Sequence, residues 1–269
     1  MNFRLDHIVI AVADLARTVH DYRALGFTVQ IGGKHAKGTS HNALIVFEDG
    51  AYFELIAWES PDSSHPWHDR HVKHGDGLMD FALMPENVRR AIDAAKARGL
   101  ALNGPLEGGR ERPDGQTLKW QTARPNSADL PFFCGDVTSR DLRVPAGDAC
   151  KHANGATGVA TVVVAVSDIH ASVERYAAML ALDATTLRPA MLPGMDVCAV
   201  FLDLGTTTLA LMSPSRSASG ESGGFAAKLL QQLMSRGEGP AAVALRSGRE
   251  RHELDAARTH GVLLEMGEC

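Results

Sequence analysis

Cysteine is scarce in this chain: Cys134, Cys150, Cys198 and Cys269 are the only four in 269 residues, and no two form a CxxC pair. That argues against a disulfide framework or a zinc ribbon and suits a reducing cytoplasm. Positive charge is not in excess either. Lys and Arg number 27 against 32 Asp and Glu, a net charge of −5 with no basic cluster, so nucleic acid is not an expected partner. No apolar run reaches the roughly 18 residues of a membrane span, and Met1-Asn2-Phe3-Arg4 passes into a strand pattern with no secretory apolar core. The pairs Gly32-Gly33 and Gly108-Gly109 lack the strand-to-helix setting of a phosphate loop. What remains is an ordinary globular balance, 45% apolar and 22% charged, enough to fill the core of one or two domains.

Against that background His7 and Glu54 stand out. Each interrupts an apolar strand-like segment, Leu5-Asp6-His7-Ile8-Val9 and Tyr52-Phe53-Glu54-Leu55-Ile56. An ionisable group there is costly unless it is paired or bound. An imidazole and a carboxylate are also common ligands of divalent transition metals.

The chain repeats itself. Val9-Ile10-Ala11-Val12 through Asp14, Val19 and Tyr22 matches Val163-Val164-Ala165-Val166 through Asp168, Val173 and Tyr176 at one constant offset. Phe81-Ala82-Leu83 through Gly99 matches Val243-Ala244-Leu245 through Gly261 without a gap. Four strand-then-helix units therefore begin near residues 5, 78, 159 and 240. Asp14, Asn87 and Asp168 are N-cap candidates, and Gly26, Gly99 and Gly261 are helix-ending glycines. Strands follow each helix, with a hairpin turn at Glu48-Asp49-Gly50 in the first unit and a turn at Pro113-Asp114-Gly115 in the second. The pattern predicts an α+β protein of repeated βαβββ units, the fourth unit cut short after a helix over 253–261. Two domains are expected, 1–136 and 157–269, with linkers over 135–158 and in the Ser/Gly-rich stretch 213–224.

The order of Leu5-Asp6-His7-Ile8-Val9, Gly38-Thr39-Ser40-His41-Asn42, Tyr52-Phe53-Glu54-Leu55-Ile56, Arg112-Pro113-Asp114-Gly115, Lys119-Trp120 and Leu130-Pro131-Phe132-Phe133 resembles the glyoxalase-like domain family. That family belongs to the vicinal oxygen chelate superfamily, with glyoxalase I, the extradiol dioxygenases and the bleomycin-resistance proteins. The resemblance is strongest over residues 4–136. It implies paired βαβββ units whose open, curved mixed sheets wrap a divalent metal (Mn, Fe, Ni or Zn), with ligands from the first and last strands of each unit. Carried over, those positions hold His7 and Glu54 in the first unit and Asp80 in the second, while Phe132-Phe133 stands where a fourth ligand is expected. His41 is the alternative nitrogen donor and, with Glu54, a candidate proton-transfer group. The matching positions in the second half, Thr161, roughly Leu209, and Ala242, carry no ligand, so residues 157–269 read as a degenerate half.

Each candidate has a plainer reading. His7 could be bonded to backbone in a half-buried strand, Glu54 could face water on an edge, Asp80 could cap a turn, and His41 could simply open a strand. The run His65, His68, His71, His74 at intervals of three reads better as a solvated linker helix than as a metal tract, given Pro66, Trp67, Asp69 and Arg70 between them. Arg112 either clamps a substrate carboxylate or lies on the surface. Cys134 has no evident base partner. Asn42, Arg112, Trp120 and Phe133 are the expected substrate contacts. The leading expectation is a metal-dependent enzyme with Lewis-acid chemistry of the lyase, isomerase or hydrolase type on a small oxygen-rich molecule. The alternative is a metal-free protein that sequesters a small molecule in the same groove. A homodimer is one way to cover the open edges of the shortened fourth unit.

Overall fold

The structure is a computed structural model that describes residues 2–35, 39–61, 65–112, 114–215 and 224–268. Residues 216–223 of the expected linker, with Gly38 and Pro113, lie outside the described residues.

The first unit is β1 (Arg4–Ala11), α1 (Leu15–Ala24), β2 (Gln30–His35), β3 (Ser40–Val46) and β4 (Tyr52–Trp58). After α2 (Pro66–His74) the second unit repeats the plan with β5 (Gly77–Met84), α3 (Val88–Ala97), β6 (Leu102–Glu111), β7 (Thr117–Pro125) and β8 (Phe132–Asp136). Together they close into an eight-stranded barrel of order β1-β4-β3-β2-β6-β7-β8-β5. Closure leaves no free sheet edge and gives every strand an inward and an outward face. The N-caps explain where the helices begin: Asp14 accepts from the Arg17 N–H at 3.0 Å and Asn87 from the Arg90 N–H at 2.9 Å. Gly26 and Gly99 end them at φ of 89° and 87°, a conformation that side chains disfavour.

The segment 135–158 is more than a linker. It carries the short helix α4 (Arg140–Arg143), whose guanidiniums reach the end of the barrel. The second half follows as β9 (Ala156–Ala165), α5 (Ile169–Leu180), β10 (Ala190–Leu192), β11 (Val197–Asp203), β12 (Thr208–Pro214), α6 (Phe225–Ser235), β13 (Gly239–Ser247), β14 (His252–Glu253) and β15 (Leu263–Gly267). These strands form one seven-stranded sheet of order β10-β11-β12-β9-β13-β15-β14. The helix expected over 253–261 does not form. Its start is spent on strand pairing, Glu253 with Glu265, and the rest is a compact turn in which the Thr259 hydroxyl donates to the Val262 carbonyl at 2.6 Å. Strand register also corrects the counterpart of Glu54: it is Ala210, opposite Val163 as Glu54 is opposite Val9. Leu209 points into the core.

The two halves share one apolar core. Ile8, Ile10 and Phe53 from the barrel's outer face and Val162, Val164 and Leu211 from the second sheet belong to a single buried cluster. The repeated tyrosines tie the halves crosswise. Tyr22 on α1 donates to the Thr259 carbonyl at 3.1 Å, and Tyr176 on α5 donates to the Asp129 carbonyl at 2.7 Å. Both rings are fully buried, which pushes both phenols well above their ordinary range and keeps them as neutral donors. No helix among the described residues is long and apolar enough to cross a membrane.

Candidate active site

The barrel interior divides into an apolar end and a polar end. Val9, Ala11, Ile56, Met79, Ala82 and Phe132 pack at the first. At the second lies a cavity of about 250 Å³ whose wall includes His7, His35, Asn42, Glu54, Arg110 and Trp120. Register puts the first of these together: β1 runs parallel to β4 with His7 opposite Tyr52 and Val9 opposite Glu54, so His7 and Glu54 are diagonal neighbours on the inner face.

Glu54 is the hub. Its Oε1 accepts from the Asn42 side-chain amide at 2.6 Å and lies 3.4 Å from His35 Nε2, while its Oε2 lies 3.6 Å from His7 Nε2. Burial alone would raise the carboxyl, but the contact and charge of His35, the charge of His7 and the Asn42 amide together hold it well below the usual carboxylate range. Both imidazoles are tethered from behind. His7 Nδ1 is 2.7 Å from Asp6 Oδ2, and His35 Nδ1 is 3.0 Å from the Ser40 hydroxyl. Because the Asp6 carboxylate only accepts, the Nδ1 position of His7 is a donor to it, and Nε2 is turned toward Glu54.

Asp6 is wholly buried and heavily held. It accepts from Arg140 at 2.6 Å and from Arg143 at 2.8 and 3.0 Å. Burial opposes its charge, but Arg143 and His7 outweigh it and keep the carboxyl well below its ordinary value. Arg143 also donates to the Tyr52 hydroxyl at 2.7 Å, and Tyr52 stacks on His7 at 4.8 Å. The His7 ring is thus fixed both by a hydrogen bond in its plane and by an aromatic face.

The comparisons with known proteins agree on this architecture. A family model described as a glyoxalase-like domain matches residues 5–180. The chain belongs to the glyoxalase-like domain family. Among solved structures, a hypothetical protein from Staphylococcus aureus aligns over 100% of both chains with a TM-score of 0.70 at 14% identity. A mutant of 4-hydroxymandelate synthase from Streptomyces coelicolor aligns over 91% of this chain and 71% of its own, with a TM-score of 0.59 at 16% identity. A xylose isomerase-like TIM barrel/4-hydroxyphenylpyruvate dioxygenase fusion protein aligns over 90% of this chain and 36% of its own, with a TM-score of 0.53 at 16% identity. At such identities the likeness is one of fold, the vicinal oxygen chelate fold. No curated protein matches the chain.

Within this glyoxalase-like barrel the residues singled out in the sequence are distributed unevenly. His7, Glu54, Asn42 and Trp120 share the cavity. Asp80 does not join them. It accepts from the Trp67 indole and from Arg124, both at 3.0 Å, in a separate cavity with Arg70 and Ser127. Burial raises its carboxyl more than Arg124 and Trp67 lower it. His41 lies on the other face of β3 from Asn42, because neighbours in a strand point to opposite sides. Phe133 faces the shared core and stacks on Phe3, while Phe132 turns inward and meets His7 edge-on at 5.4 Å. Arg112 is engaged by the Leu142 carbonyl and by Asp114, both at 3.0 Å, away from the cavity. The histidine run forms α2, capped by His65, and its His68 and His71 pack on Trp58 at 5.4 and 5.8 Å.

Three cavity-lining or supporting groups were not singled out in the sequence. His35 was hidden by a bulge between Ile31 and Gly33, where Gly33 has φ of 127°, so simple alternation along β2 does not predict its inward aim. Arg110 follows Gly108 on the inner face of β6, and Gly108 is small so that Trp120 can lie directly over the strand. Arg143 comes from the segment read as a linker.

Among the described residues, one cluster has potential metal-ligand atoms all within 4.8 Å of one another: Asp6, His7 and Cys134. Its chemistry suits a cation poorly. Asp6 is already held by two guanidiniums, and burial pushes the Cys134 thiol far up, away from the thiolate that a metal needs. His7, His35 and Glu54 suit one better. Two imidazoles, each tethered through Nδ1 and each turning Nε2 toward a carboxylate kept ionised, are a donor set for a divalent transition metal.

Proposed function

We infer that the barrel cavity is the active site of a metal-dependent enzyme acting on a small oxygen-rich molecule, with His7, His35 and Glu54 holding the metal. The observation that carries this reading is the convergence of two tethered imidazoles on the Glu54 carboxylate. The metal would supply Lewis-acid polarisation of a carbonyl or enediol. The chain's own groups do the rest. Asp6, fixed by Arg140 and Arg143, accepts from His7 Nδ1 and would keep the proton there when Nε2 turns its lone pair to a metal. Glu54 Oε1 is occupied by Asn42, so Oε2, near His7, is the oxygen that would exchange a proton with a carbon or hydroxyl beside it once the imidazoles turn to a metal and no longer hold the carboxyl down. Trp67, Trp120 and Phe132 wall the cavity and reduce the water around that transfer. Lyase and isomerase outcomes fit such a proton relay, and hydrolase chemistry fits with a water in place of the second substrate group. The second half, which lacks ligand residues at the matching positions, serves as cover for the shared core.

A second reading, a metal-free small-molecule binder, draws support from the second unit. Its Asp80 is bound to Trp67 and Arg124, and Phe132 stands at the end-strand position, so neither adds a ligand to the cluster. Elemental mass spectrometry of untagged protein decides between the two. About one equivalent of Mn, Fe, Ni or Zn, lost in His7→Ala, His35→Ala and Glu54→Ala, supports the enzyme. No metal after reloading overturns it.

A further inference from the structure

The Arg110 guanidinium is out of place in one respect. Its residue is only 3% exposed, and it lines the cavity. Every other arginine that lines this cavity has a partner: Arg124 is paired with Asp80 at 3.0 Å and lies over Trp67 and Phe132, and Arg143 is bound to Asp6 and Asp136. No hydrogen bond or ion pair to the Arg110 guanidinium is found among the described residues. Asn42 beside it is half-satisfied in the opposite sense, as an acceptor. Its amide nitrogen serves Glu54, but its Oδ1 is buried with no partner. The two groups share one corner, since a Cβ on Gly32 would collide with both Asn42 Oδ1 and Arg110 Nη1, the latter at 2.6 Å. A fork of donors that faces a cavity without a protein partner has as its natural complement a planar anion that takes two parallel hydrogen bonds.

We propose that the ligand of this cavity is a small carboxylate whose two oxygens dock on Arg110. The proposal rests on reading the barrel cavity as the ligand site, and not on whether a metal occupies it. The size and charge of the site narrow the class further. A volume of about 250 Å³ admits only a small molecule. The ionised Glu54, whose charge reaches Arg110, disfavours a dianion such as a phosphate monoester. The aromatic faces of Trp120 and Phe132 provide flat apolar walls for the remainder of the molecule.

Isothermal titration with two acid–amide pairs tests this: benzoate against benzamide and pyruvate against pyruvamide. The expected result is that at least one acid binds about tenfold or more tightly than its amide. Arg110→Gln removes that preference while the circular dichroism spectrum stays unchanged, and Arg112→Gln keeps it. Three results overturn the proposal: acids and amides binding alike, no acid binding at millimolar concentration, or a preference that survives in Arg110→Gln. Should Arg110→Gln not fold, the wild-type acid–amide comparison still decides. Metal analysis of the same samples separates this claim from the previous one. Metal-free protein that still prefers the acid would remove the metal and leave the carboxylate site standing. Metal-loaded protein without that preference would do the reverse.

Discussion

Replacing Asp6 by asparagine keeps the shape of the side chain and removes its charge. In the native protein that charge is wholly buried and receives Arg140, Arg143 twice and His7 Nδ1. The amide keeps one acceptor and gains donors that face guanidinium N–H groups. Arg143, nearly as buried, retains only Asp136 as a charged partner. Breaking a buried pair from one side costs about 3–5 kcal/mol, because the surviving charge is left uncompensated. In a chain of this size that lowers the melting temperature by roughly 10 °C. The pH dependence has a definite sign. The folded-state pKa of Asp6 is depressed, so its contribution is complete above the unfolded value near ~4 and is lost as the pH falls below it. Glu54 acts in the same direction. Asp6→Asn therefore flattens the acid limb of the stability curve. Urea unfolding between neutral and acid pH measures both effects. A second variant, Arg143→Met, removes the orphaned cation, and the double variant should be more stable than the sum of the single losses predicts, by about 1–3 kcal/mol. A loss below about 1 kcal/mol in Asp6→Asn, with an unchanged acid limb, would refute the reasoning.

Two other expectations concern packing and orientation. Tyr22→Phe and Tyr176→Phe each remove one hydrogen bond across the halves, so each should cost about 1 kcal/mol and the pair about 2 in urea unfolding of the full chain. Phe133→Leu should lower stability by roughly 1–2 kcal/mol without changing metal content or ligand affinity, whereas Phe132→Leu, which alters the wall against His7, should change ligand affinity. Equal effects on ligand affinity from the two would contradict the opposite facing of these neighbours.

The repeat was legible because it is written twice in the same words. Tyr22 and Tyr176, Asp14 and Asp168 sit at equivalent places and do equivalent work in the structure. The fourth unit was misread because the match of its sequence to a helix was local, while pairing of Glu253 with the last strand is a long-range contact that spacing does not reveal. The site was half legible. His7 and Glu54 stood out as ionisable groups in apolar strands. His35 did not, because a bulge shifts the alternation just before it. Asp80 had the right position along its strand but the wrong company: Trp67 and Arg124 come from elements whose approach no sequence spacing encodes. Arg112 drew attention by its turn, while Arg110, two residues earlier on the inner face, is the one the barrel turns inward.

The crossed tyrosines have a consequence for how such a molecule can change. Each half reaches into the other's unit for a hydrogen-bond acceptor, and the apolar outer face of the barrel is covered in part by its own helices and in part by the opposite half. A gene fragment encoding the barrel alone would present part of that face to water and would be expected to aggregate, although every cavity residue except Arg143 is within it. The duplicate without ligands is therefore not free to be deleted. Mutation can reshape its own inner surface, where Thr161, Ala210 and Ala242 bear no chemistry, far more freely than the side it presents to its twin.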